Sequence, residues 1–199
     1  MRSLALSLFV LPLWSLAQGP TEPVTEVLSA PAEAEQTPVE APKVKWVTIT
    51  EAQEAAKKDP KPILMDVYTE WCGPCKMLSA KTFTDPQTVA LMNKYFHCVK
   101  FNAEGPDPVK FKGQDFSNPD YRPGQGGRNG THQLARAMGV SAYPTVMYLD
   151  SDLNVITPVP GYVTPEQIEP ILIYFGEGHY KTKDWAAFQQ EFKSRRTGK

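Results

Sequence analysis

Trp71-Cys72-Gly73-Pro74-Cys75 is the stretch on which the reading of this chain turns. It follows Ile63-Leu64-Met65-Asp66-Val67-Tyr68, apolar on both parities apart from one acid, as in a strand buried on both faces. A strand ending at Tyr68 and a helix opening inside the pentapeptide put Cys72 at a helix N-terminus. Unpaired backbone N–H groups and the helix dipole favour a thiolate there. Cys75 is three residues on, one turn deeper, close enough to bridge. The Cys72 thiolate would attack a partner's disulfide, and Cys75 would then attack Cys72 and release the reduced product. Gly73 leaves room for a partner's backbone, and Pro74 stiffens the turn. The competing reading is half of a zinc site. Structural zinc wants four ligands, and no second pair stands at suitable spacing. His97 and Cys98 are adjacent and should point to opposite faces of a strand. The redox pair is the stronger reading, and no metal is expected.

Outward from the pentapeptide, strands alternate with helices. Upstream, Trp46 to Ile49 predicts a short strand. Thr50, with Gln53 three residues on, predicts a capped helix to about Lys58, stopped by Asp59-Pro60. Downstream, a helical stretch runs to about Lys81. Asp85-Pro86 is an N-cap with Pro at the first helical position, opening a helix to about Phe96. His97 to Asn102 predicts the next strand, Thr131 to Met138 a short helix, and Thr145 to Leu149 and Val155 to Pro158 two strands. Thr164 to Gln167 opens a capped helix to about Phe175. Trp185, Phe188 and Phe192 predict an amphipathic helix near the C-terminus. The early crossovers imply a parallel portion of the sheet and the late strand pair an antiparallel hairpin, so the fold class is α/β with a mixed sheet.

Here the chain resembles the thioredoxin family. The residues that carry the resemblance are Asp66 to Lys76, Lys100-Phe101-Asn102, Ala142-Tyr143-Pro144-Thr145 and Gly161. The resemblance covers roughly Trp46 to Phe175, apart from a long insertion at 105–130, and leaves an extension at 177–199. It implies a thioredoxin fold, a central mixed sheet flanked by helices, and thiol–disulfide exchange through a Cys72–Cys75 redox disulfide without a cofactor. It makes Asp66 the buried acid beneath the site, with a pKa raised by burial and able to accept a proton from Cys75. Lys100 is its neighbouring lysine, expected inside an apolar strand rather than solvated. Pro144 is the cis-proline facing the cysteines, where the backbone at Tyr143 pairs with a substrate peptide. Trp71, Gly73, Pro74 and Gly161 complete the expected substrate-binding set. Cys98 is expected as a buried, inert thiol.

The insertion is rich in Gly, Pro, Asn and Asp and reads as a loop. Loops of this length in compact domains are often functional. Parallel strands of a βαβ unit end on one edge, so the strand ending near Asn102 brings the insertion to the edge that holds Cys72. It is therefore expected either to form a lip beside the redox pair that helps select partners or to be a solvated insertion that merely tolerates length. Phe111, Phe116 and Tyr121 would offer contact surface, and Lys110, Lys112, Arg122 and Arg128 a basic rim. Asn129-Gly130-Thr131 fits a glycosylation sequon, a three-residue pattern common by chance.

The ends differ from this body. Met1 to Ala17 has a basic start, a charge-free apolar run and a small-x-small ending, the pattern of a cleavable signal peptide and too short for a spanning helix. Gln18 to Pro42 holds five Pro and five Glu with no Lys, Arg or aromatic residue, and reads as a disordered acidic linker. The remaining segment, 43–199, carries 20 basic and 17 acidic side chains. The whole 199-residue chain has a formal net charge of −1, which argues against nucleic-acid binding. Three cysteines are too few for a disulfide scaffold. The Lys and Arg residues after Lys193 read as a frayed, solvated end.

Together these features predict a periplasmic or secreted thiol–disulfide oxidoreductase that reduces disulfides of exported proteins. Its partners would be protein disulfides and a thiol electron donor, plausibly membrane-borne. The alternatives are a partner-binding module with little turnover and a disulfide isomerase. Isomerases usually benefit from a dimerisation module; none is evident, and a monomer is expected.

Overall fold

The computed structural model describes residues 42–196. The expected signal peptide and all but the last residue of the acidic linker lie outside the described residues.

Five strands form the main sheet: β1 (Trp46–Val47), β2 (Ile63–Tyr68), β3 (His97–Asn102), β6 (Thr145–Leu149) and β7 (Val155–Pro160). Their order is β1-β3-β2-β6-β7. The pairs β1/β3 and β3/β2 are parallel, while β2/β6 and β6/β7 are antiparallel. The apolar run at 63–68 therefore lies at the centre, where both of its faces are covered. Pro158 and Pro160 fall on the edge strand β7, where a missing N–H breaks no inner ladder.

Alternation along the strands divides the core. On one face Leu64, Leu78, Val89, Met92, Tyr148, Ile168 and Leu172 pack together. They bring in α2 (Gly73–Met77), α3 (Pro86–Tyr95), α5 (Pro165–Gly176) and α6 (Trp185–Glu191). On the other face Ile49, Met65, Val99, Phe101, Leu134 and Met147 pack beneath α1 (Ile49–Lys58) and α4 (Gln133–Ala137). This is the expected mixed sheet flanked by helices, with the extra C-terminal helix present.

Three local expectations are corrected, and a fourth, the helical stretch to about Lys81, stands with a change of pitch. Helix α1 is capped by Thr48, not Thr50: Thr48 Oγ1 accepts from Glu51 N–H, and Glu51 Oε2 accepts from Thr48 N–H at 2.8 Å. Both Thr48-x-x-Glu51 and Thr50-x-x-Gln53 fit the pattern. Capping at Thr48 makes Ile49 the first helical residue and buries it, and a carboxylate is the stronger reciprocal acceptor.

The helix after the cysteines is α2 for five residues and then widens into a π-turn over Leu78–Thr82. Thr82 is buried there, its hydroxyl donating to Val163 O at 2.6 Å.

The insertion is not structureless. Strands β4 (Val109–Phe111) and β5 (Gln114–Phe116) form a hairpin. Its two-residue turn, Lys112-Gly113, has positive φ at both positions (50° and 81°), the primed turn that matches strand twist. Phe111 is buried and Phe116 packs against the same core, so these rings anchor the hairpin instead of offering contact surface. Gln53 ties it down further, donating to Lys110 O and accepting from Lys112 N–H.

The C-terminal residues 194–196 are a strap rather than a frayed end. Ser194 Oγ–H and Arg195 N–H donate to Glu169, which is 1% exposed. The Arg195 guanidinium makes two bonds to Glu177, and Arg196 reaches Asp85 Oδ2 at 2.6 Å. Charge alone suggested solvation; the acids that pair with these arginines, Asp85 at the N-cap of α3 and Glu177 at the C-cap of α5, are remote in sequence.

Candidate active site

Strand β2 ends at Tyr68, and Cys72 is the N-cap of α2. Pro74 sits in the first turn, where a missing N–H breaks no helical bond. Cys72 and Cys75 form a disulfide with a Cα–Cα distance of 5.3 Å. Cys75 N–H donates to Cys72 Sγ at 3.1 Å, so the helix end aims a donor at that sulfur. Both cysteines are buried, while Gly73 and Pro74 between them are exposed. A Cβ built on Gly73 meets nothing within 4 Å, which leaves open space above the helix start.

Beneath the pair, Asp66 lies mid-strand between Lys100 of β3 and Val146 of β6. Alternation sends its side chain to the face of Leu64, the face on which α2 packs. Asp66 is 1% exposed, and neither carboxylate oxygen has a hydrogen-bond partner. Burial pushes its pKa up to about 6, against the opposing pull of Lys100. Lys100 Nζ is 3.7 Å from Asp66 Oδ2, an electrostatic contact too long for a hydrogen bond, and donates to Ser79 Oγ at 2.9 Å. Contrary to expectation the lysine is solvated, its side chain 37% exposed. Its long stem lets the ammonium reach water over the Tyr68 ring while the strand stays covered. An open cleft of about 360 Å³ is lined by Cys75, Lys100, Ser79 and Tyr68 and reaches Cys75 from solvent.

Around the pair, the Tyr143–Pro144 peptide is cis, immediately before β6. Gly161, at φ +92°, donates its N–H to Pro144 O at 2.8 Å. The Trp71 and Tyr143 rings meet edge to face at 6.1 Å. Trp71 Nε1–H donates to Glu104 Oε2 at 2.8 Å, and Asn129 N–H of the insertion donates to the same oxygen at 2.8 Å. The Arg128 guanidinium lies 4.5 Å from the Trp71 ring centroid. The insertion thus stands against the residue that precedes Cys72. Of its four expected basic residues, Arg128 alone meets Trp71; Lys110 pairs with Asp115 and Lys112 bonds Asn154, both at the hairpin.

Glu104 is the site residue that sequence reasoning missed. An acid two residues beyond a strand has no local mark; only the fold brings Trp71 to it. Cys98 is buried in β3 with its thiol pushed up to about 12 by desolvation, as expected of an inert cysteine. Asn129 of the sequon is engaged on both sides of its amide, with Arg122 and Gly130.

Residues 49–176 match the model of the thioredoxin-like domain family. The chain belongs to that family. Its thioredoxin-like portion is 34% identical over 101 residues to the chloroplastic thioredoxin F1 of Arabidopsis thaliana, covering 51% of this chain and 40% of that protein. It is 24% identical over 129 residues to the thiol:disulfide interchange protein DsbD of Pectobacterium atrosepticum, covering 64% of this chain and 18% of that one. The aligned part therefore spans well under two thirds of these relatives. Among solved structures, a thioredoxin from Thermus thermophilus superposes with a TM-score of 0.50 at 16% identity, covering 77% of this chain and 99% of that one. At that identity the likeness speaks for the fold.

Proposed function

We propose that this thioredoxin-like protein is a thiol–disulfide oxidoreductase that works as a reductant of protein disulfides. The observation that carries the reading is the Cys72–Cys75 disulfide at the start of α2, with the Cys75 N–H on Cys72 Sγ and, on the same face of the sheet, a buried Asp66 whose carboxylate has no hydrogen-bond partner.

In the reduced protein, the Cys72 thiolate attacks one sulfur of a partner disulfide. A Cys72–partner disulfide forms, and the other partner sulfur leaves as a thiolate that takes a proton. Cys75 then attacks Cys72 Sγ; the mixed disulfide breaks, the Cys72–Cys75 disulfide closes, and the second partner thiol departs. Two electrons pass to the partner. Asp66, with a pKa near 6, is mostly ionised at pH 7 and takes the proton that Cys75 must lose. Pro144, Tyr143, Gly73 and the face of Trp71 form the surface on which the partner chain rests.

The Gly-Pro between the cysteines is that of thioredoxins, which reduce at about −270 mV, and differs from strong oxidants near −120 mV. The leader-like segment 1–17 supports export and exported proteins as substrates. In such a compartment the pair needs a thiol donor that resets it, and a membrane-borne carrier fits that need.

Insulin reduction with a supplied reductant tests the activity. Catalysis by the wild-type protein that vanishes in Cys72→Ser is the expected result. Failure of the intact protein to accelerate the reaction leaves a partner-binding module instead. The Cys75→Ser variant should accumulate reducible adducts with its partners, because the attack that resolves the mixed disulfide is removed. Absence of such adducts after expression in an oxidising compartment counts against the mechanism.

A further inference from the structure

The segment 122–130 is held as a closed unit beside the redox pair. Asn129 Oδ1 accepts from Arg122 N–H at 2.9 Å, and Asn129 Nδ2 donates to Arg122 O at 3.0 Å. Gln125 Nε2 donates to Arg128 O, and Gly127 takes a positive φ of 77°. Gly130 lies so close to Asp120 that an added Cβ would come within 2.6 Å of its carbonyl carbon. Asn129 N–H then fastens this unit to Glu104, which also holds Trp71.

Arg128 is what the unit presents. Its guanidinium lies over the ring of the residue that precedes Cys72, 4.5 Å from the centroid. Among the described residues it forms no ion pair, whereas the neighbouring Arg136 is taken by Asp120. A cation–π contact of this kind leaves guanidinium N–H donors available to a carboxylate. A cation whose backbone is held on both sides loses little freedom when it binds.

We infer that Arg128 is a specificity-determining residue, pairing with a carboxylate that a partner polypeptide carries beside the disulfide attacked by Cys72. This rests on the exchange reaction proposed above and names the partner chemistry of the same site. A basic partner side chain is the rival, since Glu70 and Glu104 line the cleft of about 280 Å³ on the flank of Trp71. Glu104 already accepts two hydrogen bonds there, and Arg128 would repel a second cation.

The test uses the full protein, a supplied reductant, and two disulfide-bridged peptides identical except for Asp or Lys next to one cysteine. Each enzyme is scored by its own ratio of kcat/KM for the acidic over the basic peptide, so a general loss of activity cancels. The wild-type ratio should be about two- to fivefold at low salt, the range of an exposed ion pair, and should shrink toward one at high salt. Arg128→Lys should keep the preference, Arg128→Gln should lose it, and Arg128→Glu should invert it. A wild-type ratio of one or below overturns the inference, as does a ratio that Arg128→Glu leaves unchanged. Uncharged 2-hydroxyethyl disulfide is read in parallel. If the wild-type protein reduces none of the three, the exchange reaction itself falls and the inference with it; if it reduces all three without preference, only the inference falls.

Discussion

Asp66 shows what one buried charge does to this protein. Its carboxylate has no hydrogen-bond partner, and its pKa stands at about 6 against an ordinary 3.8. The folded protein therefore binds the proton more tightly than the unfolded chain. Between about pH 4 and pH 6 stability falls as pH rises, and above that window the destabilisation stays at its full value. The shift corresponds to about 3 kcal/mol at most. Asp66→Asn should raise stability at pH 8 by up to about that amount and leave it little changed at pH 4, as read from urea unfolding of the oxidised protein at the two pH values. A gain of equal size at both would mean that the charge is not its source. The same residue should act on the reaction in the opposite sense. Resolution of a mixed disulfide by Cys75 should slow as pH drops through about 6, because protonated Asp66 accepts nothing, and Asp66→Asn should flatten that dependence. Stopped-flow release of the second partner thiol measures it.

At the scale of elements, small polar contacts decide where helices begin and how the chain ends. Thr48 and Thr50 are two residues apart and both suit a cap, yet only Thr48 makes the reciprocal bonds with Glu51. Thr48→Ala should cost about 1 kcal/mol, while Thr50→Ala, one residue inside the helix, should stay within about 0.5 kcal/mol. Equal losses in thermal unfolding would contradict the assigned cap. The C-terminal strap makes a larger claim. Glu169 is buried in α5 and takes bonds from Gln87, Ser194 and Arg195. Ending the chain after Lys193 removes two of those donors and both arginine pairs. Stability should drop by about 1–3 kcal/mol, the usual penalty for a buried polar group that loses its partners. An unchanged midpoint in chemical unfolding would show that the strap is ornamental to stability.

At the scale of the whole molecule, the thioredoxin-like body, the leader-like start and the acidic stretch between them are proposed to be three separate parts. The mature protein should begin near Gln18, which N-terminal sequencing of exported material reads directly; an intact Met1 in the membrane fraction would indicate an anchored form. How far the sequence alone carried the reading depends on the range of the interactions involved. Strand β2 was legible because its residues, Asp66 apart, are apolar on both parities, and α3 and α5 because Asp85 and Thr164 supply their caps. The pair Cys72/Cys75 was legible because three-residue spacing across a helix start is local geometry. The hairpin at 109–116 was not, because Lys112-Gly113 is a weak turn signal and its strands are three residues each; burial of Phe111 against the sheet holds it. Solvation of Lys100 escaped because strand alternation specifies a face and not whether a long side chain escapes along it. Local order along the chain was thus determined by periodicity, caps and turn chemistry, which act within a few residues. The clasp of Glu104 on Trp71 and Asn129, the placing of Arg128 on the Trp71 ring and the seating of the C-terminal arginines were decided only by tertiary structure, since each joins groups on different elements that meet once the sheet has folded.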